Sequence, residues 1–421
     1  MVYIIEGGTQ LSGSVAVQGS KNSVLPILAA SILHNGTTLL RNVPNLADVA
    51  TSLEILVHLG AAVKYDGFTV EIETRNIQKF DIPAALMLRM RSSVIFLGAM
   101  LVRTGHASMG TPGGCELGPR PIDMHLAALS KMGVKIENGY DPDGKGVSLE
   151  CSCEEIIARD IVLPFPSVGA TENVMIAACG AHGITRIKNP AREPEIMDLA
   201  NYINALGGEV SGAGSRVIFV KGQRPLHDCE FDIPGDRIAA GTLLCAAAAC
   251  GGCVRLSGIQ PSRLILPLET LEIMGCTLEK GDNHINLERR RRLRSGGFIH
   301  TEPYPGFPTD LQPTFMAAAT LTRGATRFEE NIFACRYAHT EGLCDMGARI
   351  DVSKKTALVR GVKELHGVEA EAADLRGGAA LIIGALAAQG RSKIGGVCHV
   401  ERGYEKIEET LTSLGGSIRL G

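Results

Sequence analysis

The sequence predicts an α/β protein of two globular domains, assembled from six repeated α/β units. Three observations predict it. A pentapeptide that opens on an aliphatic residue and Gly and closes on an aliphatic residue recurs six times, at intervals of about seventy residues. Its copies are Leu59–Val63, Met132–Ile136, Leu206–Val210, Met274–Leu278, Met346–Ile350 and Leu414–Ile418. Upstream in several intervals stands a helix-length stretch of Ala, Leu and Ile with no polar face. A chain of 421 residues is also too long for one ordinary core.

Each pentapeptide reads as a helix end. An amphipathic helix, such as Asp198–Leu206 or Leu268–Met274, stops at a Gly that tolerates positive φ. A strand then begins, as at Val63–Tyr65, Glu209–Ser211 and Arg349–Val352. A second strand follows at Phe68–Ile72, Arg216–Val220 and Ala357–Arg360. The apolar stretches Val24–Leu33, Thr171–Cys179, Gly241–Ala249, Gln312–Leu321 and Gly377–Ala388 read as helices enclosed on all sides. Six units divide as three and three, so each domain is expected to carry three sheets outside and buried helices within. A single open dinucleotide-binding sheet is disfavoured, because no G-x-G-x-x-G follows a first strand.

Composition narrows the function classes. Hydrophobic residues make up 45% and charged residues 21%, a globular balance. The net charge of −3 gives no chain-wide attraction for nucleic acid or an anionic membrane, so an anionic ligand needs a local cluster of cations. The start MVYIIEGG lacks the pattern of an export signal, and the apolar stretches Ile238–Ala249 and Ala379–Ala388 are too short to span a bilayer. A cytoplasmic protein is expected. The twelve scattered cysteines read as reduced thiols, and neither Cys250/Cys253 nor Cys151/Cys153 has a second pair to complete a zinc site. The run Glu288–Arg292 reads as a solvated strand edge or connector rather than a nucleic-acid patch, with only 4% aromatics in the chain.

Four segments exceed what packing requires. Gly19–Ser23 puts Lys21 and Asn22 at the start of a buried helix, which suits either an anion site or an ordinary cap. Met109–Pro121 holds four glycines and three prolines in thirteen residues, so it is a loop. Its Cys115, near Arg120, sits where a thiol can act as acid or nucleophile, and the loop can close as a lid. Tyr304–Gln312 leads into a buried helix with Asp310 at the turn, either a helix-end charge or a general base. Asp374–Gly378 precedes another, with Arg402 downstream. Arg91, following Arg89 in a helical context, adds a further cation, and arginine holds carboxylates and phosphates bidentately.

Taken together these stretches resemble the UDP-N-acetylglucosamine enolpyruvyl transferase family over essentially the whole chain. The matching residues are GSKNS at 19–23, MRSS at 90–93, PGGCELGPRPIDMH at 112–125 and PSVGATEN at 166–173. AREPEI at 191–196, PGFPTDLQ at 305–312, DLRGGAAL at 374–381 and ERGYEKIEE at 401–409 complete the set. The resemblance implies a two-domain inside-out α/β barrel with the reaction between the domains. One domain would span 21–234 and the other 1–20 with 235–421. It implies transfer of the enolpyruvyl group of phosphoenolpyruvate to the sugar 3′-hydroxyl, with no metal or organic cofactor.

The resemblance also implies roles. Lys21 and Asn22 match contacts to phosphoenolpyruvate and the sugar, and Arg91, Arg120 and Arg402 match groups that bind the phosphoenolpyruvate anion. Arg120, Pro121, Ile122, Asp123 and Met124, with Ser167, Val168 and Gly169, match uridine and diphosphate contacts. Cys115 matches the loop cysteine that protonates or captures the enolpyruvyl carbon and is alkylated by fosfomycin. Asp310 matches the residue bonded to the sugar hydroxyl and Ile332 a backbone contact to that sugar. Asp374 and Arg376 match the pair near the reacting carbon. The chain departs from the family at Ala334 and Cys335, where IFENRF is common, and at Ala47 and Phe165, where some members carry Lys; Arg336 is retained. The related shikimate-3-phosphate enolpyruvyl transferases and a silent nucleotide-sugar-binding relative are the alternatives.

Overall fold

The computed structural model describes residues 1–110, 122–140 and 147–421. They separate into two compact units: Met1–Gln18 with Gly235–Gly421, and the described residues between Gly19 and Pro234. Each unit has its own hydrophobic core.

The described residues form six four-stranded sheets of one pattern, each with a parallel pair at one edge and two antiparallel pairings beyond it. In one of them Phe298–His300 runs parallel to Ala325–Glu329, which pairs antiparallel with Thr356–Arg360, itself antiparallel to Arg349–Ser353. The strands alternate, as at Ala325–Glu329, where Thr326 and Phe328 are buried and Ala325 and Arg327 are exposed. Two N-terminal strands explain why the first residues belong with the distant C-terminal half. Tyr3–Glu6 lies between Arg391–Gly395 and Ser417–Leu420, and Leu11–Ala16 pairs in parallel with Gly252–Ser257.

The repeated pentapeptides do what their pattern predicts. At Gly60, Gly133, Gly207, Gly275, Gly347 and Gly415 φ lies between +91° and +112°, a region that a Cβ makes costly. Strands then follow at Ala62–Tyr65, Glu209–Ser211 and Arg349–Ser353.

Helices without a polar face form the interior. In the unit containing residues 235–421, Arg237–Cys250 is buried through Ala249, Gln312–Ala319 is buried throughout, and Leu375–Ala387 is buried from Arg376 to Leu386. These three pack against one another. In the other unit Lys21–Ala30 and Val168–Ala178 both pack on a helix, Phe96–Thr104, that the sequence pattern did not single out. The helical context holds for Arg89 but is refined for Arg91. Helix Ala84–Arg89 ends at Met90, whose φ of −138° is extended, and Arg91 opens the 3₁₀ turn Arg91–Ile95.

The arginine run is likewise more than a solvated edge. Arg290 pairs with Glu288 at the surface, but Arg289 turns back to the carbonyl of Ala249, at the end of a core helix. Arg292 donates to the carbonyls of Leu321, Thr322 and Val362, which follow the next core helix and the neighbouring strand. Cations placed there satisfy carbonyls that a helix end leaves open and oppose its negative dipole. Arg292→Ala is therefore expected to lower unfolding free energy by about 2 kcal/mol, read as a shift of the urea midpoint.

Candidate active site

An enclosed helix must satisfy its first N–H groups where it emerges, and these ends collect polar side chains. In the unit containing residues 235–421, Asp236 accepts from Ile238 N and Ala239 N at 2.8 and 3.0 Å. Asp374 Oδ1 accepts from Arg376 N and Gly377 N, both at 3.0 Å. Asp310 stands in the turn Thr309–Leu311 that leads into the third helix. Side chains tie these ends together. Arg376 Nη2 donates to Asp310 Oδ2 at 3.0 Å, and Arg336 Nη2 donates to Asp310 Oδ1 at 2.7 Å. Arg336 Nη1 also stands 3.8 Å from Asp374 Oδ1. Tyr404 lies 5.2 Å beneath the Arg376 guanidinium and bonds Thr242 at 2.9 Å.

The result is one carboxylate gripped on both oxygens by two buried guanidinium groups: Arg336 is 1% and Arg376 3% exposed. The first expectation for Asp310, a charge that favours a helix N-terminus, accounts for part of this. The two arginines account for the rest, and they orient its lone pairs. Arg402 lies in the turn before Tyr404, whose backbone reaches Gln18: Gly403 O accepts from Gln18 Nε2 at 3.2 Å. Glu330 organises the segment carrying Ile332, accepting from the N–H groups of Ile332 and Phe333 at 2.8 and 3.0 Å. The Ile332 N–H is thus committed, and its carbonyl is the backbone group it can offer.

The other unit builds two further groups. Lys21 opens a core helix whose cap is Ser20, and its ammonium sits 2.7 Å from Asp48 with both side chains nearly enclosed. Ser23 donates to Asp198 at 2.7 Å. Asn22 is the neighbouring half-buried residue. Separately, the first turn of Asp123–Lys131, with Ile122, Asp123 and Met124, meets the first turn of Val168–Ala178, with Ser167, Val168 and Gly169. Gly169 lets the two turns approach closely: a Cβ there would stand 3.0 Å from the His125 ring. His125 bonds Asn173 at 3.0 Å, and Asn173 spans to Val94 O and Gly98 N.

Cys115, Arg120 and Pro121 lie outside the described residues, as does the Arg91 side chain. Sequence reasoning passed over Asp48, Asn173, Glu330 and His339. Asn173 stands inside a motif that was noticed, and a polar residue in an apolar helix was the available signal. Asp48 carried none. The buried thiols contrast with a reactive one: burial pushes Cys151 up to about 12 and raises Cys245 further.

Six such sheets around enclosed helices, with polar helix ends gathered in each unit, define the enolpyruvyl transferase class of α/β protein. The solved enolpyruvyl transferase NikO from Streptomyces tendae matches with a TM-score of 0.88, at 24% identity over 99% of this chain and 98% of that one. The EPSP synthase of Acinetobacter baumannii matches with a TM-score of 0.75, at 20% identity over 100% and 99%. The chain belongs to the EPSP synthase (3-phosphoshikimate 1-carboxyvinyltransferase) family, whose model matches residues 5–411. Among curated relatives, UDP-N-acetylglucosamine 1-carboxyvinyltransferase 2 of Caldanaerobacter subterraneus subsp. tengcongensis is 43% identical, covering 99% of this chain and 98% of its own. UDP-N-acetylglucosamine 1-carboxyvinyltransferase of Desulfatibacillum aliphaticivorans is 42% identical, over 99% and 98%, and that of Magnetococcus marinus 41%, over 99% and 99%.

Two expectations follow from the electrostatics. Asp310→Ala leaves Arg336 and Arg376 buried without their shared carboxylate, and should cost about 3 kcal/mol of stability by chemical denaturation. Burial pushes the Glu172 carboxyl well above its usual range, with Glu195 and Glu193 adding to the shift. Above the unfolded value of 4.5 the unfolded chain releases this proton while the folded chain retains it, so stability falls as pH rises toward the folded value. Glu172→Gln should therefore raise the melting temperature at pH 8, by about 3 °C, and leave it unchanged at pH 4.

Proposed function

We propose that the protein transfers the enolpyruvyl group of phosphoenolpyruvate to the 3′-hydroxyl of UDP-N-acetylglucosamine, releasing phosphate and starting peptidoglycan precursor synthesis. The observation that carries this reading is the Asp310 carboxylate, oriented on both oxygens by Arg336 and Arg376 at the ends of enclosed helices. An oriented carboxylate accepts a hydroxyl proton, and adjacent guanidinium groups stabilise charge that develops on the substrates. The curated relatives at 40–43% identity, matched over nearly their full length, support the nucleotide-sugar acceptor. Shikimate 3-phosphate, the acceptor for which the family is named, is the alternative that the same assay separates.

In this reading the sugar oxygen attacks C2 of phosphoenolpyruvate and its proton passes to Asp310. C3 gains a proton from Cys115, giving a tetrahedral ketal. Loss of a proton from C3 then forms the enol double bond as the C2–O bond to phosphate breaks. Lys21, Arg91, Arg120 and Arg402 neutralise the carboxylate and the leaving phosphate. Lys21 would share its charge between Asp48 and the arriving anion. Asn22 and the Ile332 carbonyl take the sugar, and Ile122–Met124 with Ser167–Gly169 take the uridine and diphosphate, where two helix N-termini suit anions. Asp374 and Arg376 border the reacting carbon.

Phosphate release from phosphoenolpyruvate should require UDP-N-acetylglucosamine, fail with shikimate 3-phosphate, and stop after fosfomycin treatment. Release with shikimate 3-phosphate alone would overturn the acceptor assignment. Cys115→Asp should keep turnover and lose fosfomycin inactivation, since a carboxylic acid also donates a proton but is a poorer nucleophile toward the epoxide. Abolished turnover would overturn the general-acid role.

A further inference from the structure

In the unit containing residues 235–421, the C-terminal ends of the three core helices border a cavity of about 190 Å³. One water takes about 30 Å³, and drug-sized ligands fill pockets of about 300–1,000 Å³, so this cavity suits a small ligand. Its lining carries three cations, Arg289, Arg292 and Lys363, and one carboxylate, Glu364. None of the three cations forms an ion pair with a described residue. In a chain of net charge −3 such a cluster stands out.

Capping the helices uses these cations only in part. Arg292 gives Nε and Nη2 to the carbonyls of Leu321, Thr322 and Val362, and its Nη1 has no acceptor among the described residues. Arg289 is held more loosely. Its bonds to Ala249 O and Arg291 O measure 3.3 and 3.5 Å, beyond the usual range of about 2.7–3.2 Å, and its Nε is buried without a partner. Gly251, at a φ of +84°, lets that guanidinium lie against the chain, since a Cβ there would stand 2.6 Å from Arg289 Nη2. The third helix end needs no cation, because Gly8 N donates to Leu386 O at 2.9 Å. Lys363 is exposed and closes no carbonyl. A helix end carries about half a negative charge, less than the full charge of each cation facing it.

We propose that this cavity is a binding site for a small phosphate-bearing anion, held by Arg289 and Arg292 within and by Lys363 at the mouth. Guanidinium forks match the oxygens of a phosphate, and the lysine adds a point charge. Glu364 at the rim opposes the anion and weakens its binding. The site is distinct from the cluster around Asp310. Asp374 caps the opposite end of Leu375–Ala387, a helix of 13 residues that spans about 20 Å. It therefore stands or falls independently of the enolpyruvyl-transfer reading.

The test titrates the full chain with inorganic phosphate at fixed ionic strength and follows amide hydrogen exchange peptide by peptide. Phosphate should slow exchange around 249–252, 362–365 and 386–390. The half-saturating concentration at those segments should rise about tenfold in Lys363→Glu and in Arg289→Met, and fall about threefold in Glu364→Gln. Lys363 and Glu364 are exposed, so melting temperatures of their variants should match the wild type, and tighter binding in Glu364→Gln cannot arise from misfolding. Protection confined to other segments, or half-saturation unchanged in all three variants, would overturn the site. Malonate protecting the same segments at the same concentration would overturn the phosphate assignment, because a dicarboxylate would then serve as well.

Discussion

A helix such as Arg237–Cys250, buried at every position through Ala249, has no side it can turn to water. It must be surrounded, and in this protein sheets do the surrounding. The consequences run outward from that constraint. Sheets that cover enclosed helices need one apolar face each, which is why the strands alternate. The helices need small residues where they meet, which is why Ala and Gly crowd Arg237–Cys250 and Leu375–Ala387. Their ends are where most of the polar groups of the site enter the interior.

The two ends are treated differently, and the helix dipole gives the reason. At the C-terminal ends in the unit containing residues 235–421, Arg289 and Arg292 close the open carbonyls. At the N-terminal ends, Asp236 and Asp374 take up the free N–H groups, and Asp310 stands in the turn before the third helix. Those carboxylates in turn attract Arg336 and Arg376. What begins as capping therefore becomes a dense, oriented cluster of charge, built for structural reasons and available for chemistry. His339 is buried beside this cluster, and burial pushes its imidazole down to about 4.

The other unit applies the same logic with different residues. Lys21 opens its core helix and is held by Asp48, while Ser167 caps the helix of Gly169 and Asn173. Asn173 is a polar residue in an apolar helix because it bridges two other elements, at Val94 and Gly98, and meets His125. Glu172 beside it remains a carboxyl that burial and two nearby glutamates keep from ionising easily.

Much of the fold was legible because its determinants are local. A Gly after a helix and an aliphatic residue before a strand report their own φ and their own face, and six repetitions made the unit visible. The helices without polar faces announced their burial. Phe96–Thr104 escaped because Met90 and the 3₁₀ turn after it break the pattern just upstream, and the arginine run misled because its backbone is an ordinary strand end. Lys21, Asp310, Asp374 and Arg376 could be singled out from their places before buried helices. That Arg336 and Arg376 would converge on Asp310, that Asp48 would hold Lys21, or that Arg292 would close carbonyls on two other segments could not be read. Each depends on residues 26 to 70 positions apart meeting in space. Local sequence sets what a segment can form; packing decides which charges become neighbours, because only packing removes the water that would otherwise keep them apart.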